Sequence, residues 1–171
     1  MRANDRRSGV VVSLPPILGR DNALLDRLIR QLAANIFGMT DYMQILNERG
    51  LGELDKKMGI KIIEASPERV VGTMPVEGNT QAMGILHGGA NVVLAEVLGS
   101  IGAWLHAGGS KRTVGVDINA THHKAGKEGI LTGIATPVSR GRTLACYEIE
   151  IKNEAGERTC SARITSLILQ D

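Results

Sequence analysis

Between residues 21 and 37 the apolar side chains Leu24, Leu25, Leu28, Leu32 and Ile36 recur every three or four positions, which predicts an amphipathic helix. Asp21 suits its start and Gly38 its end. Residues 40–49 predict a second short helix that Gly50 stops, and residues 51–57 a third helical turn. After Met58 the period shortens to two. Residues 58–64 and 69–76 predict strands joined by a turn at Ser66-Pro67, the second ending at Pro75, Gly78 and Asn79. A long apolar stretch over residues 88–105 predicts a helix, and strands return at 112–120, 129–138, 142–152 and 158–169. In the third of these, Ala145, Tyr147, Ile149 and Ile151 share one face, while Leu144, Cys146, Glu148 and Glu150 share the other. That alternation describes a sheet with one half-polar side. Asn153 to Glu157, with Gly156, reads as a hairpin loop.

Strands that come in runs, without a helix between each pair, predict an antiparallel sheet in an α+β domain. A curved sheet wrapped around one long central helix fits this order. The expected layout is an N-terminal helical extension over residues 1–50 and a second domain over residues 51–171.

The stretch 88–105 carries a single charge, Glu96, among Val92, Val93, Leu94, Val97, Leu98, Ile101, Trp104 and Leu105. Apolar and small residues run all the way round, so this helix is expected to be buried rather than to cross a membrane. A buried carboxylate needs a partner, and the residues one turn away (Val92, Val93, Gly99, Ser100) include no cation. Glu96 therefore either meets a donor from elsewhere in the fold, lies at a solvated edge, or is a reactive general base or nucleophile. His87-Gly88-Gly89 leads straight into the helix. Glycines at a helix start allow a tight turn; they also expose backbone N–H groups where the helix dipole favours a developing negative oxygen. Gly88 and Glu96 are eight residues apart, ~12 Å along the axis. An attacking carboxylate must come within about 3–3.5 Å of the carbonyl. If both serve one site, they come from two chains, which predicts an obligate dimer with two symmetric sites.

Composition narrows the partners. A net charge of +2 and 2% aromatic residues give no reason to expect nucleic acid. Twenty-one glycines, many between Gly84 and Gly141, predict close backbone approach or tight turns there. Cys146 and Cys160 have no metal-ligand spacing and are expected as free thiols, which fits a cytoplasmic protein. Arg2, Arg6 and Arg7 precede an apolar run, 10–14, that is short and broken by Pro15-Pro16, so no secretory signal is expected.

The segment from Gln81 to Ser100, Gln-Ala-Met-Gly-Ile-Leu-His-Gly-Gly-Ala-Asn-Val-Val-Leu-Ala-Glu-Val-Leu-Gly-Ser, resembles hotdog-fold thioesterases of the 4-hydroxybenzoyl-CoA and phenylacetate-degradation type. Gly115-Val-Asp-Ile-Asn-Ala-Thr-His122 and the final hairpin, 146–169, resemble them too. The resemblance covers roughly residues 54–169. It implies hydrolysis of an acyl-CoA thioester with no metal or cofactor beyond the substrate's own CoA, by dimers that pair into a homotetramer. It implies that Glu96 is the catalytic carboxylate, as nucleophile or as general base on water. The N–H of Gly88 or Gly89 would polarise the carbonyl, Gln81 and His87 would orient the thioester or leaving group, and Ser100 would hold the attacking water. For the CoA arm it implies Asn79, Gly115, His122 and Lys124 on one side and Ser139, Arg140 and Gly141 on the other, with solvated basic turns as the plain alternative. Two other readings share the fold: an acyl-CoA-binding regulator, which has no need of Glu96, and a dehydratase, whose motif order differs from this one.

Overall fold

The computed structural model describes residues 40–169, and the helix expected over 21–37 and the N-terminal arginines lie outside them. Residues from Asp41 onward belong to one compact unit. Helix α1 (Tyr42–Arg49) starts where the Asp41 carboxylate accepts the Gln44 N–H at 3.0 Å and stops at Gly50, which takes φ 76°. Although expected in the N-terminal extension, α1 buries Leu46 in the core. Helix α2 (Glu53–Lys57) is capped by Asp55, which accepts the Gly52 N–H at 2.9 Å.

Six strands follow: β1 (Lys61–Ala65), β2 (Val70–Pro75), β3 (Thr113–His122), β4 (Ile130–Arg140), β5 (Leu144–Lys152) and β6 (Arg158–Ile168), with helix α3 (Gly88–His106) between β2 and β3. The first strand begins three residues later than its pattern suggested. Met58 closes α2 and Gly59, at φ 70°, turns the chain, so Met58 and Ile60 pack from a turn instead of a strand. The sheet is antiparallel throughout, in the order β1-β2-β4-β5-β6-β3. The connection through α3 carries β3 to the far edge, where a ten-residue strand is paired on one side only among the described residues.

Helix α3 packs against β2, β3, β4, β5 and β6, so the sheet curves around it as expected. By length and composition it is apolar enough to cross a membrane, yet most of that stretch is buried inside this domain. Leu94, Ala95, Leu98 and Ala103 are fully buried, and so are Ala145, Tyr147 and Ile151 on the predicted inner face of β5. Each large apolar side chain buried this way contributes ~1.5–3 kcal/mol. Close approach is set by glycines on both partners. A Cβ on Gly72 or Gly133, paired across β2 and β4, would sit 2.7 or 2.6 Å from a Leu98 methyl. A Cβ on Gly99 would sit 2.2 Å from Ile164 Cγ2, and one on Gly102 2.6 Å from Tyr147 Cε1. Leu98 fills a notch in the sheet, and Ile164 and Tyr147 fill notches in the helix.

The expectation that α3 is buried all round fails on one face. Gly89 and Glu96 are exposed and Val92, Val93, Val97 and Ser100 only half-buried, a stripe at helical spacing that the sheet does not reach. Both cysteines are free, with Cys160 buried and Cys146 half-buried.

Tyr147 is fully buried and donates its hydroxyl to the Pro67 carbonyl at 2.7 Å. Burial pushes the phenol up to about 12, with the Arg140 cation pulling it down and Glu68 raising it. The unfolded chain loses this proton near pH ~10. The folded state holds it longer, so the stabilisation is complete below that pH and is lost as pH rises through about 12. Urea unfolding should show wild type losing ~2–3 kcal/mol more than Tyr147→Phe between those limits. Parallel curves for the two proteins would contradict this environment for the phenol.

Candidate active site

The loop before α3 is held by its own backbone. Gln81 N–H donates to Ile85 O at 2.8 Å, Gly84 N–H to Gln81 O at 2.9 Å, and His87 N–H to Asn79 O at 2.9 Å. Gly84 at φ 75° makes the turn. His87 is the N-cap, in extended backbone at φ −67° and ψ 131°, and its Nδ1 accepts the Gly89 N–H at 2.9 Å. Of the two amides expected to face a substrate oxygen, Gly89's is therefore engaged, whereas Gly88's has no acceptor among the described residues. The His122 ring lies over Gly88: a Cβ there would be 2.9 Å from its Nε2. Asn91, buried one position past the first turn, places Nδ2 3.3 Å from His122 Nδ1 and leaves Oδ1 with no partner. The sequence reading passed over Asn91; its signal was a polar residue near the start of an otherwise apolar helix.

Glu96 stands two turns further along, on the open stripe of α3. Its carboxylate lies beside the β3 edge, with Oε1 3.7 Å from where a Gly115 Cβ would be. Glu96 and Ser100 line the same cleft, which extends between α3 and the α1–α2 segment. The structure thus brings Glu96, Ser100 and Gly115 together, and separately groups His87, Gly88, Asn91 and His122 at the helix start. Glu96 is not the buried charge that the apolar surroundings suggested. Its side chain leaves the helix on the exposed face.

The residues expected to hold CoA divide in the same way. His122 and Lys124 lie at the N-terminal end of α3, where Lys124 pairs with Glu157. The Ser139–Gly141 turn lies at the other end, where His106 Nε2 meets Gly141 O at 3.0 Å. The helix between them is 19 residues long, ~28 Å. Arg140 pairs with Glu68 across the β1–β2 turn. Ser139 lies exposed beside the β4 bulge. Asn79 is occupied structurally, donating Nδ2 to Met58 O and Pro75 O at 2.9 Å each. Among the described residues no group of three or more His, Cys, Asp or Glu side chains is placed to hold a metal.

The profile of the thioesterase superfamily matches residues 83–160, which contain the helix start, Glu96 and the β3 edge. The proofreading thioesterase EntH of Cronobacter turicensis is 36% identical over 128 residues, 74% of this chain and 93% of the relative. The 1,4-dihydroxy-2-naphthoyl-CoA hydrolase of Escherichia coli is 38% identical over 128 residues, 74% of this chain and 94% of its own. Among solved structures, a thioesterase from Haemophilus influenzae superposes with a TM-score of 0.68 at 34% identity, covering 72% of this chain and 87% of that one. The chain belongs to the thioesterase superfamily, with its hotdog fold, and is a thioester hydrolase.

Gly88 occupies the first helical position, where proline is tolerated, and His87 already has the extended backbone that a following proline requires. The atoms nearest a Cβ added at Gly88 belong to the far end of the His122 ring. Gly88→Pro should therefore remove this N–H while leaving the thermal midpoint within roughly 4 °C of wild type, about 1 kcal/mol or less. A larger drop in calorimetry would show that the position is strained.

Proposed function

We propose that the protein hydrolyses acyl-CoA thioesters in the manner of 4-hydroxybenzoyl-CoA-type enzymes, with each site assembled from two copies of the chain. The observation that carries this reading is the position of Glu96. It projects from the exposed face of α3, beside a strand edge that no described residue pairs and ~12 Å along the axis from the amide at Gly88. One chain cannot apply both groups to one carbonyl. Antiparallel pairing of two β3 edges about their midpoint would set Thr113 of one copy opposite His122 of the other. The carboxylate beside Gly115 would then face the helix start that His122 marks in the second copy. The same twofold would bring the His122–Lys124 loop of one copy towards the Ser139–Gly141 turn of the other. Two sets of residues that a single chain separates are reunited by one operation.

At such a site the Gly88 N–H holds the thioester oxygen as it gains negative charge, reinforced by the helix dipole. Glu96 either takes a proton from a water held at Ser100, whose oxygen then bonds to the carbonyl carbon, or attacks that carbon itself to give an acyl anhydride that water opens. In both routes the C–S bond breaks and CoA departs as thiolate, which is protonated afterwards. Gln81 and His87 orient the thioester. The CoA arm runs past His122 and Lys124 to Ser139, Arg140 and Gly141, and its phosphates compete with Glu157 and Glu68 for Lys124 and Arg140. Two such dimers form the homotetramer.

Glu96→Gln should lower thiol release from acyl-CoA by about 10²-fold or more without loss of fold, measured by thiol-reactive dye and circular dichroism. Near-normal turnover would remove Glu96 from the mechanism. Mixing tests the shared site. Glu96→Gln and Gly88→Pro are each expected to be inactive, but subunit exchange between them should restore about a quarter of wild-type activity, since half the dimers would carry one intact site of two. A site contained in one chain gives no recovery.

A further inference from the structure

The cleft beside Glu96 has a second wall that the catalytic reading does not use. Its volume is about 530 Å³, and across from Val93 and Val97 of α3 it is lined by Arg49, Leu51, Leu54 and Asp55 of the α1–α2 segment. That volume suits a small-molecule group. We infer that this cleft receives the acyl group, and that Arg49 selects acyl groups bearing a hydrogen-bond acceptor at the end remote from the thioester. This rests on the placement of the reacting carbonyl at Glu96.

The lining combines apolar side chains, Val93, Val97, Leu51 and Leu54, with the cation Arg49. The Arg49 guanidinium carbon lies 4.3 Å from the centroid of the Trp104 ring. Stacking on an indole face fixes a guanidinium without consuming its N–H donors, which lie in its plane. Arg49 forms no ion pair with a described carboxylate. Asp55, which joins Glu96 in the lining, has an oxygen committed to the Gly52 N–H. An arginine donates and cannot accept, so its partner is a carboxylate, phenolate, hydroxyl or carbonyl oxygen.

Trp104 follows Glu96 by eight residues, about two turns towards the C-terminal end of α3, and the stacked guanidinium goes with it. An acyl group that reaches from a carbonyl at Glu96 to Arg49 carries its acceptor at the end remote from the thioester.

The test uses full-length protein and pairs of acyl-CoAs matched in size, such as benzoyl-CoA against its 4-hydroxy and 4-carboxy derivatives. The readout is the ratio of kcat/KM for substituted over unsubstituted substrate in wild type, Arg49→Met and Arg49→Lys. Loss of the charge-assisted bond should lower the ratio about tenfold in Arg49→Met, with partial recovery in Arg49→Lys. The same ratio is read as Kd in the Glu96→Gln background, where it does not depend on turnover. An Arg49→Met ratio equal to that of wild type in both readouts would overturn the proposal. Leu51→Phe narrows the cleft without touching Arg49. It should shift selectivity from benzoyl-CoA towards acetyl-CoA, and equal loss on both would also overturn it. Full activity in Glu96→Gln would instead refute the catalytic assignment, leaving the Kd ratio to judge Arg49 separately.

Discussion

Leu98 enters a notch that only a pair of facing glycines leaves open in the sheet, while Ile164 and Tyr147 enter two notches left by glycines in the helix. These contacts act in both directions, so they set the distance of α3 from the sheet and also its rotation about its own axis. Turning the helix by one residue, about 100°, would drive side chains into strand backbone. With the rotation fixed, the stripe through Val93, Glu96, Val97 and Ser100 has to face away from β4 and β5. The exposure of Glu96 is thus a consequence of core packing two turns of helix deep.

The same rotation explains why the chemistry is distributed. A helix has one start, and its dipole and spare amides are confined to that end. Glu96 shares the helix with that start but not its neighbourhood, and the cationic loops sit at opposite ends of the same rod. Within one chain the two groups of residues stay apart. The same rotation leaves room for the α1–α2 segment to form a wall of the cleft beside Glu96.

Much of the fold was legible in the order and period of apolar residues. The alternation in β5 placed Ala145, Tyr147, Ile149 and Ile151 inward, as found, and the glycine surplus marked a close helix–sheet approach. The start of β1 was misread because Met58 and Ile60 alternate like strand residues while serving a helix cap and a turn. The exposed face of α3 was misread for a deeper reason: apolarity records that a surface avoids water, and carries no record of what covers it. Three site features were invisible for want of geometry. His87 caps the Gly89 amide, Asn79 spends its side chain on two carbonyls, and Arg49 lies over Trp104, fifty-five residues away in sequence.

The edge strand β3 carries a further consequence. Among the described residues its ten residues of extended backbone have one side unpaired, and Val114 and Val116 stand exposed along it. No proline or inward-pointing lysine interrupts that edge, and its one bulge lies on the side of β6. Such an edge accepts any strand of compatible shape. Newly made chains therefore race between completing their own fold and strand addition to a neighbour, and the outcome depends on how many other chains are at hand when each is released. Yield during synthesis or refolding is governed by that race as much as by the stability of the folded domain.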